Sequence, residues 1–380
     1  MNSIFANTIY TGKSIVSDQY LIFSGSKIIG LAKSAKGRLL GRYDVLTPAF
    51  IDPHSHIGME RSGEPSGDGE TNEHLDSIIA LTDALDSVQM DDTAFRDAVE
   101  SGVLYSCVVP GSGNIIGGQS AVIRNYANDS TDALIARAGL KAAFGYNPRS
   151  THKWKGQRPT TRMGAIAILR GRLEEVRRKV KKYHKTKGSK KADITFSAEE
   201  TVLQDLLAGK FRLRAHVHKI DDIAALLRLV DDYKLKLTVE HASDVHRPEI
   251  FQALRQRKVP VVYGPIDSFP FKVELKHEDW RNIHHLLAAK VEFGLMSDHP
   301  VTLARQLLLQ TRWFLRAGLS KQQAIELVSH KNARILGIDD RLGTLKKGKW
   351  ASFICWSGDP FDLSNYPTAV YGEGKLLFSE

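Results

Sequence analysis

Cysteine is almost missing. The chain has two in 380 residues, Cys107 and Cys355, each inside an apolar run (YSCVVP and FICWS). That excludes a disulfide framework and a cysteine-built zinc site, and it points to a reducing, cytoplasmic setting. Long apolar runs are missing too: no stretch reaches the roughly 18–20 residues needed to cross a bilayer, so no membrane association is expected. The N-terminal MNSIFANTIYTGKS lacks the basic start and apolar stretch of a signal peptide. There is no internal repeat and no low-complexity tract. Hydrophobic residues at 42 % and charged residues at 25 % exclude a mainly disordered chain. The length allows two or three domains, or one large barrel with an appendage.

The net charge of +10 suggests nucleic acid at first sight, but its distribution argues otherwise. Residues 170–191 (RGRLEEVRRKVKKYHKTKGSKK) hold 11 Lys/Arg and 2 Glu, so the rest of the chain nets about +1. Tyr183 is the only aromatic among these charges, so a stacking platform for bases is lacking. The segment reads as a solvated helix face and loop, and a nucleic-acid partner is not expected.

The first 45 residues read as short strands and turns. From Val45 onward strand-like runs recur, in LTPAFIDPHSH and at 103–111, 140–147, 212–219, 236–243, 259–265 and 291–300. Helical spacing follows several of them, as in DDIAALLRLVDDYK and PEIFQALRQRK. Strand then helix, repeated, means βαβ units and a parallel sheet. From His54 to Asp298 is 244 residues, close to the roughly 250 of a closed eight-stranded barrel. Seven strands are convincing. The eighth is expected between 147 and 211, where only ADITF is on offer. A single helical stretch (LSKQQAIELVSHKNARILG) and then β-rich segments follow. The two β-like ends are expected to pair into a second, small domain. The predicted architecture is α/β: a distorted TIM (β/α)8 barrel over 48–339, and a small β-sandwich from 1–47 plus 340–380.

The chemistry-bearing residues sit at strand ends. Asp52-Pro53-His54-Ser55-His56 closes an apolar strand, and residues i and i+2 of a strand point to one side. His216 and His218 repeat that spacing. His241 ends the next strand and Asp298 the last. In a parallel barrel all C-terminal strand ends share one face. His54, His56, His216 or His218, His241 and Asp298 are therefore expected to converge, as a first-row metal ion requires. Buried or helix-capping histidines are the rival reading, and it has to explain four strand ends at once.

With these pieces in view, the chain resembles the amidohydrolase superfamily, and within it the imidazolonepropionase-related branch. The resemblance rests on FIDPHSH, PGSGNIIGGQ, GYNPRSTHKWKGQRPTTRMG, HVHK, VEHAS, SDHP, NARILGIDDRLGTLKKGK and SGDP. It implies a distorted TIM barrel beside a sandwich built from both termini, and hydrolysis of a C–N bond by a metal-activated water. It further implies that His54, His56, His216, His241 and Asp298 are metal ligands, with His241 alternatively polarising a substrate carbonyl. His218 then falls where relatives place a substrate-facing group, and Asp298 acts as general base and then acid. Two positions depart from the family pattern. Tyr146 stands where a glutamate is usual, which favours a single metal ion or a lost activity. Trp350-Ala351-Ser352 replaces Asp-Ala-Asp and bears on local stability.

Two glycine-containing loops are candidate substrate contacts. Asn114 and Gln119 lie in GSGNIIGGQ, whose backbone N–H groups could form a nest for an anion or carbonyl; a turn that merely needs glycine is the simpler reading. Arg162, with Tyr146 nearby, lies in a polar segment suited to a substrate carboxylate. The remaining histidines, His246 and His277 among them, read as surface or core packing.

The resulting expectation is a cytoplasmic hydrolase cleaving a C–N bond of a small, carboxylate-bearing molecule. It would use Zn2+, with Mn2+, Fe2+ or Ni2+ as alternatives, and a homo-oligomer is compatible with it. The competing readings are a deaminase of a heterocycle and a degenerate member serving as a binding or scaffold protein.

Overall fold

The computed structural model describes residues 1–380, apart from the side chain of Ser66. The chain begins with β1 (Asn2–Tyr10), β2 (Ile15–Ser24), β3 (Lys27–Ala32) and β4 (Arg38–Pro48). A second set follows: β5 (Phe50–Ser55), β6 (Val103–Val108), β7 (Ile116–Arg124), β8 (Leu134–Ala143), β9 (Arg212–Val217), β10 (Lys236–His241), β11 (Val261–Tyr263) and β12 (Phe293–Leu295). The chain ends with β13 (Phe353–Trp356), β14 (Pro367–Gly372) and β15 (Lys375–Ser379).

Both termini build one seven-stranded sheet, in the order β15-β14-β13-β4-β1-β2-β3. Phe353 of β13 lies opposite Pro48 of β4, which joins the two ends of the chain. Strands β2 and β13 are three positions apart, about 14 Å along a flat sheet. Yet the rings of Phe23 and Phe353 are 5.5 Å apart, and Phe353 stacks on Tyr371 at 4.8 Å. The sheet therefore curls over an apolar interior and forms the small sandwich expected from the termini.

Strands β5 to β12 form the eight-stranded barrel sheet in sequence order. Strands β5, β6, β11 and β12 are buried at every position, as in a sheet covered on both faces. The eighth strand is β7, and the expectation placed it wrongly. The segment around 193–196 is turn and coil ahead of the helix Ala198–Leu207, which Ser197 and Glu200 start with a capping box. Strand β7 hides in the glycine-rich stretch IGGQSAVIR and runs antiparallel to both β6 and β8. Its glycines serve packing: a Cβ at Gly118 (φ +120°) would meet the Thr82 side chain and backbone. The expected single helix at 319–337 is two, Lys321–Val328 and His330–Leu336, broken at Ser329 (φ −132°, ψ −87°).

The barrel seam between β5 and β12 has no backbone ladder. Past the end of β12, Asp298 N–H donates to His54 O (3.1 Å) and His56 N–H to His299 O (2.9 Å), and an amide clips the seam itself: Asn332 Nδ2 donates to Ile51 O (2.6 Å) and Leu295 O (2.8 Å). Gly294 makes room for it, since a Cβ there would stand 1.8 Å from Asn332 Oδ1. Asn332→Ala leaves two buried carbonyls unpaired and should cost about 2–4 kcal/mol, read from urea unfolding. A loss below about 0.5 kcal/mol would show that the clip contributes little.

The basic segment lies on the helix Arg162–Lys185 and the turn after it. Leu169, Leu173 and Val176 face the core, while Arg170, Arg172, Arg177 and Lys179 pair with carboxylates. No helix is long and apolar enough to cross a membrane.

Candidate metal centre at the mouth of the barrel

Strand β5 delivers two imidazoles in one direction, with ring centres 5.4 Å apart. His54 is fully buried. Its Nδ1 faces Glu240 Oε2 at 2.5 Å, so Nδ1–H donates to the carboxylate and Nε2 keeps its lone pair. His56 donates Nδ1–H to Val109 O (2.8 Å), which also leaves Nε2 as an acceptor. Both Nε2 atoms face Asp298 Oδ1, at 3.2 and 3.3 Å. Three acceptors meeting this closely repel one another unless a cation lies among them, and the Lys141 ammonium stands 3.3 Å from His54 Nε2.

A second triad stands beside the first. The ring centres of His216, His218 and His241 are 4.1–4.8 Å from one another, and His241 is 5.1 Å from His54. One donor atom of each ring in this triad lies within 4.8 Å of the others, as is also true of His54, His56 and Asp298. His241 donates Nδ1–H to Gly264 O (3.0 Å), and its buried Nε2 has no partner. Neither ring nitrogen of His218 has a partner. Unpaired buried polar atoms are costly and call for an occupant. Burial drives the pKa of His216 and His241 well below the ordinary value and that of His218 down to about 3, so all three are neutral, with the lone pairs of His218 and His241 unpartnered. The donor set therefore fits one or two divalent ions.

Backbone strain is concentrated here. His241 has φ +75°, Ala242 +57° and Asp298 +54°, values that L residues seldom adopt. Strand alternation would send Glu240 and His241 to opposite faces. The left-handed turn at His241 ends that alternation, and both residues reach His54.

The profile described as the amidohydrolase family matches residues 45–376. The chain belongs to the amidohydrolase family. A crystal structure of an amidohydrolase from Thermotoga maritima MSB8 is 30% identical, covers 100% of both chains and superposes with a TM-score of 0.92. A prolidase solved with N-methylphosphonate-L-proline, 12% identical and covering 100% of both chains, shares the fold with a TM-score of 0.63. Among curated proteins, amidohydrolase tasK of Hapsidospora irregularis is 26% identical over 363 residues, 88% of this chain. The chain spans 36% of the length of that relative.

This amidohydrolase treats its expected substrate contacts unevenly. Tyr146 is half exposed at the mouth, and its backbone N–H donates to Glu274 Oε2 (2.8 Å). Asn114 is buried and spends its amide on Glu73 O and Asp76 O, both at 2.9 Å. Arg162 pairs with Asp222 (2.8 and 3.0 Å). The N–H groups of Gly111, Gly113, Ile116 and Gln119 are all taken by the 71–82 loop, so they are not turned toward a ligand.

Several residues of this amidohydrolase site went unnoticed in the sequence. Lys141 of β8 is fully buried with Nζ 3.3 Å from His54 Nε2, and burial pushes its ammonium down to about 8. Asn147 turns its amide to His216 Nε2 (3.1 Å) and Ser112 Oγ (2.5 Å). Arg214 lies fully buried with Nη2 2.7 Å from Glu240 Oε1 and donates to Pro53 O (2.5 Å). Asp52 accepts from Ser297 N (3.1 Å), from the Ser297 hydroxyl and from His54 N (3.3 Å), which ties the Asp298 turn to β5; burial pushes its carboxyl up to about 6. A signal was available. Arg212, Arg214, His216 and His218 alternate along one strand, and polar residues at period two in a buried strand mark a polar barrel interior.

Proposed function

We propose that this amidohydrolase is a metal-dependent enzyme that cleaves a C–N bond of a small, anionic molecule, within a hydrolase domain over 48–339. The observation that carries the reading is the meeting of His54 Nε2, His56 Nε2 and Asp298 Oδ1 at 3.2–3.3 Å beside buried imidazoles that lack partners. His54, His56, His216, His241 and Asp298 would hold the metal, and Zn2+ suits an all-nitrogen and carboxylate set best. Two neighbouring donor groups, His54, His56 and Asp298 in one and His216 and His241 in the other, favour two ions over the single ion that Tyr146 suggested.

A bound divalent ion supplies Lewis acidity and a water acidified toward neutral pH. Asp298, its carboxylate 3.2–3.3 Å from His54 Nε2 and His56 Nε2, would accept the water proton and return it to the leaving nitrogen. His218 offers its free ring nitrogens to the substrate, and His241, its Nδ1–H fixed by Gly264 O, keeps its Nε2 lone pair for the metal.

Preference for an anion rests on Lys272, half buried on the loop after β11. Its charge is felt at His216 and His218, and no carboxylate lies within salt-bridge distance among the described residues. Ring opening of a cyclic amide, as in the imidazolonepropionase-related branch, and cleavage of an acyl amino acid both fit this charge. The two buried, unpaired cysteines fit a cytoplasmic enzyme.

Metal analysis of the purified protein is the direct test, with at least one equivalent of zinc or manganese expected. Dialysis against a chelator should lower the thermal midpoint, and added Zn2+ should restore it. Ions at 100–1,000 times their dissociation constant contribute about 2.7–4.1 kcal/mol to the folded state. Less than about 0.2 equivalents after growth in zinc or manganese, with no response to a chelator, would remove the reading. A screen over cyclic amides, N-acyl amino acids and aminated heterocycles, read by amine and by ammonia release, separates amide hydrolysis from deamination.

A further inference from the structure

Outside the centre, a third donor set lies at the rim of the barrel mouth. Asp244 and His246 sit on the loop after β10, and His277 sits on the loop after β11. One donor atom of each lies within 4.8 Å of the others, and the two imidazole rings are 4.2 Å apart with planes at 44°. The tautomers are fixed by oxygen acceptors. His246 Nδ1 donates to Asp244 O (2.9 Å), and His277 Nδ1 faces Asp244 Oδ2 (3.4 Å). Both rings therefore carry the Nε2 lone pair, with the opposite N–H held by a carbonyl or carboxylate. That is how metal-binding histidines are ordinarily supported from behind.

Asp244 is buried, and its two oxygens do different work. Oδ1 accepts the backbone N–H of His277 (2.7 Å), which fixes the two loops together. Oδ2 has His277 Nδ1 and, at 3.7 Å, the Lys219 ammonium. Asn282 adds a second stitch, from Nδ2 to His277 O (2.8 Å) and Ser243 O (3.3 Å). The loop being stitched is the one that carries Lys272 and exposes Phe269, Phe271 and Val273 at 79, 66 and 81 %.

We propose that Asp244, His246 and His277 form a separate site for a divalent ion of the Zn2+ class, which staples the loop after β11 to the loop after β10. His246 Nε2 and His277 Nε2 are the nitrogen ligands, the Asp244 carboxylate supports them, and water completes the shell. Zinc–nitrogen bonds of about 2.0–2.1 Å set donors roughly 3.3–3.5 Å apart, so binding draws the two Nε2 atoms to that separation. Both rings are partly exposed and free to move. Lys219 is the competing cation, and its charge opposes the ion. The assignment is independent of whether the buried centre is catalytic.

The test is titration of the protein, with whatever metal it carries as purified, with Zn2+ by calorimetry. The readout is the difference between wild type and rim variants. Wild type should take up one equivalent more than the His246→Ala, His277→Ala double variant. Lys219→Met, which removes the competing charge without touching a ligand, should bind that extra ion several-fold more tightly. Zinc should also slow amide exchange over 264–282 in wild type and not in the double variant. Equal uptake and equal affinity in wild type and the double variant would overturn the site, and so would weaker binding in Lys219→Met. His246→Ala alone settles the matter if the double variant melts lower in zinc-free buffer.

Discussion

Asp298→Asn should lower hydrolysis by about 10²–10⁴-fold, the usual contribution of a positioned general acid–base group. Asparagine is the informative replacement for two reasons. Asp298 has φ +54°, and among non-glycine residues asparagine and aspartate tolerate that conformation best. The amide also matches the carboxylate in size, so the turn tied to Asp52 through Ser297 keeps its shape. What disappears is the negative charge between His54 Nε2 and His56 Nε2, and with it the proton acceptor. Thermal stability should stay near that of wild type while the rate collapses, with metal content measured on the same samples. A variant that retains its metal and loses its rate isolates proton transfer; one that loses both assigns Asp298 to metal binding as well. An undiminished rate would remove Asp298 from the mechanism.

Much of this site could be read before the fold was known. The convergence of His54, His56, His216 or His218, His241 and Asp298 was legible because a parallel barrel sends its strand ends to one face, while the preference for His216 over His218 came from the resemblance alone. Helices with a regular apolar stripe, such as Ile220–Tyr233, fell where the pattern placed them. Strand β7 did not, because Gly117 and Gly118 read as loop residues while their real role is close packing, Gly118 against Thr82 and Gly117 against Pro110 and Gly111. The interior charges were missed for another reason. Arg214, Glu240 and Lys141 are each ordinary surface residues by composition, and only the register of neighbouring strands brings them together. Local pattern carries one-residue facts well. It does not carry which buried charge neutralises which.

That neutralisation is the basis of a second large effect. Arg214 is fully buried with Nη2 2.7 Å from Glu240 Oε1, off the line of a hydrogen bond, so the pairing is Coulombic. Glu240 Oε2 in turn holds His54 Nδ1 at 2.5 Å. Burial by itself would raise the Glu240 pKa, but Arg214 and His54 together bring it below the ordinary glutamate value. Arg214→Met strands that carboxylate in the barrel interior, and breaking a buried pair from one side costs about 3–5 kcal/mol. Removing both charges, in Arg214→Met with Glu240→Met, should recover most of that stability, since buried pairs replaced by apolar groups of similar size are often neutral. Metal binding should not recover with it. Without Glu240, His54 loses the acceptor that fixes its tautomer, and loss of such support typically weakens metal affinity about 10–100-fold. Urea unfolding and metal titration on the two single variants and the double variant separate these contributions. If the double variant regains stability and metal affinity together, Glu240 acts only as the counter-charge of Arg214, and His54 is oriented by something else.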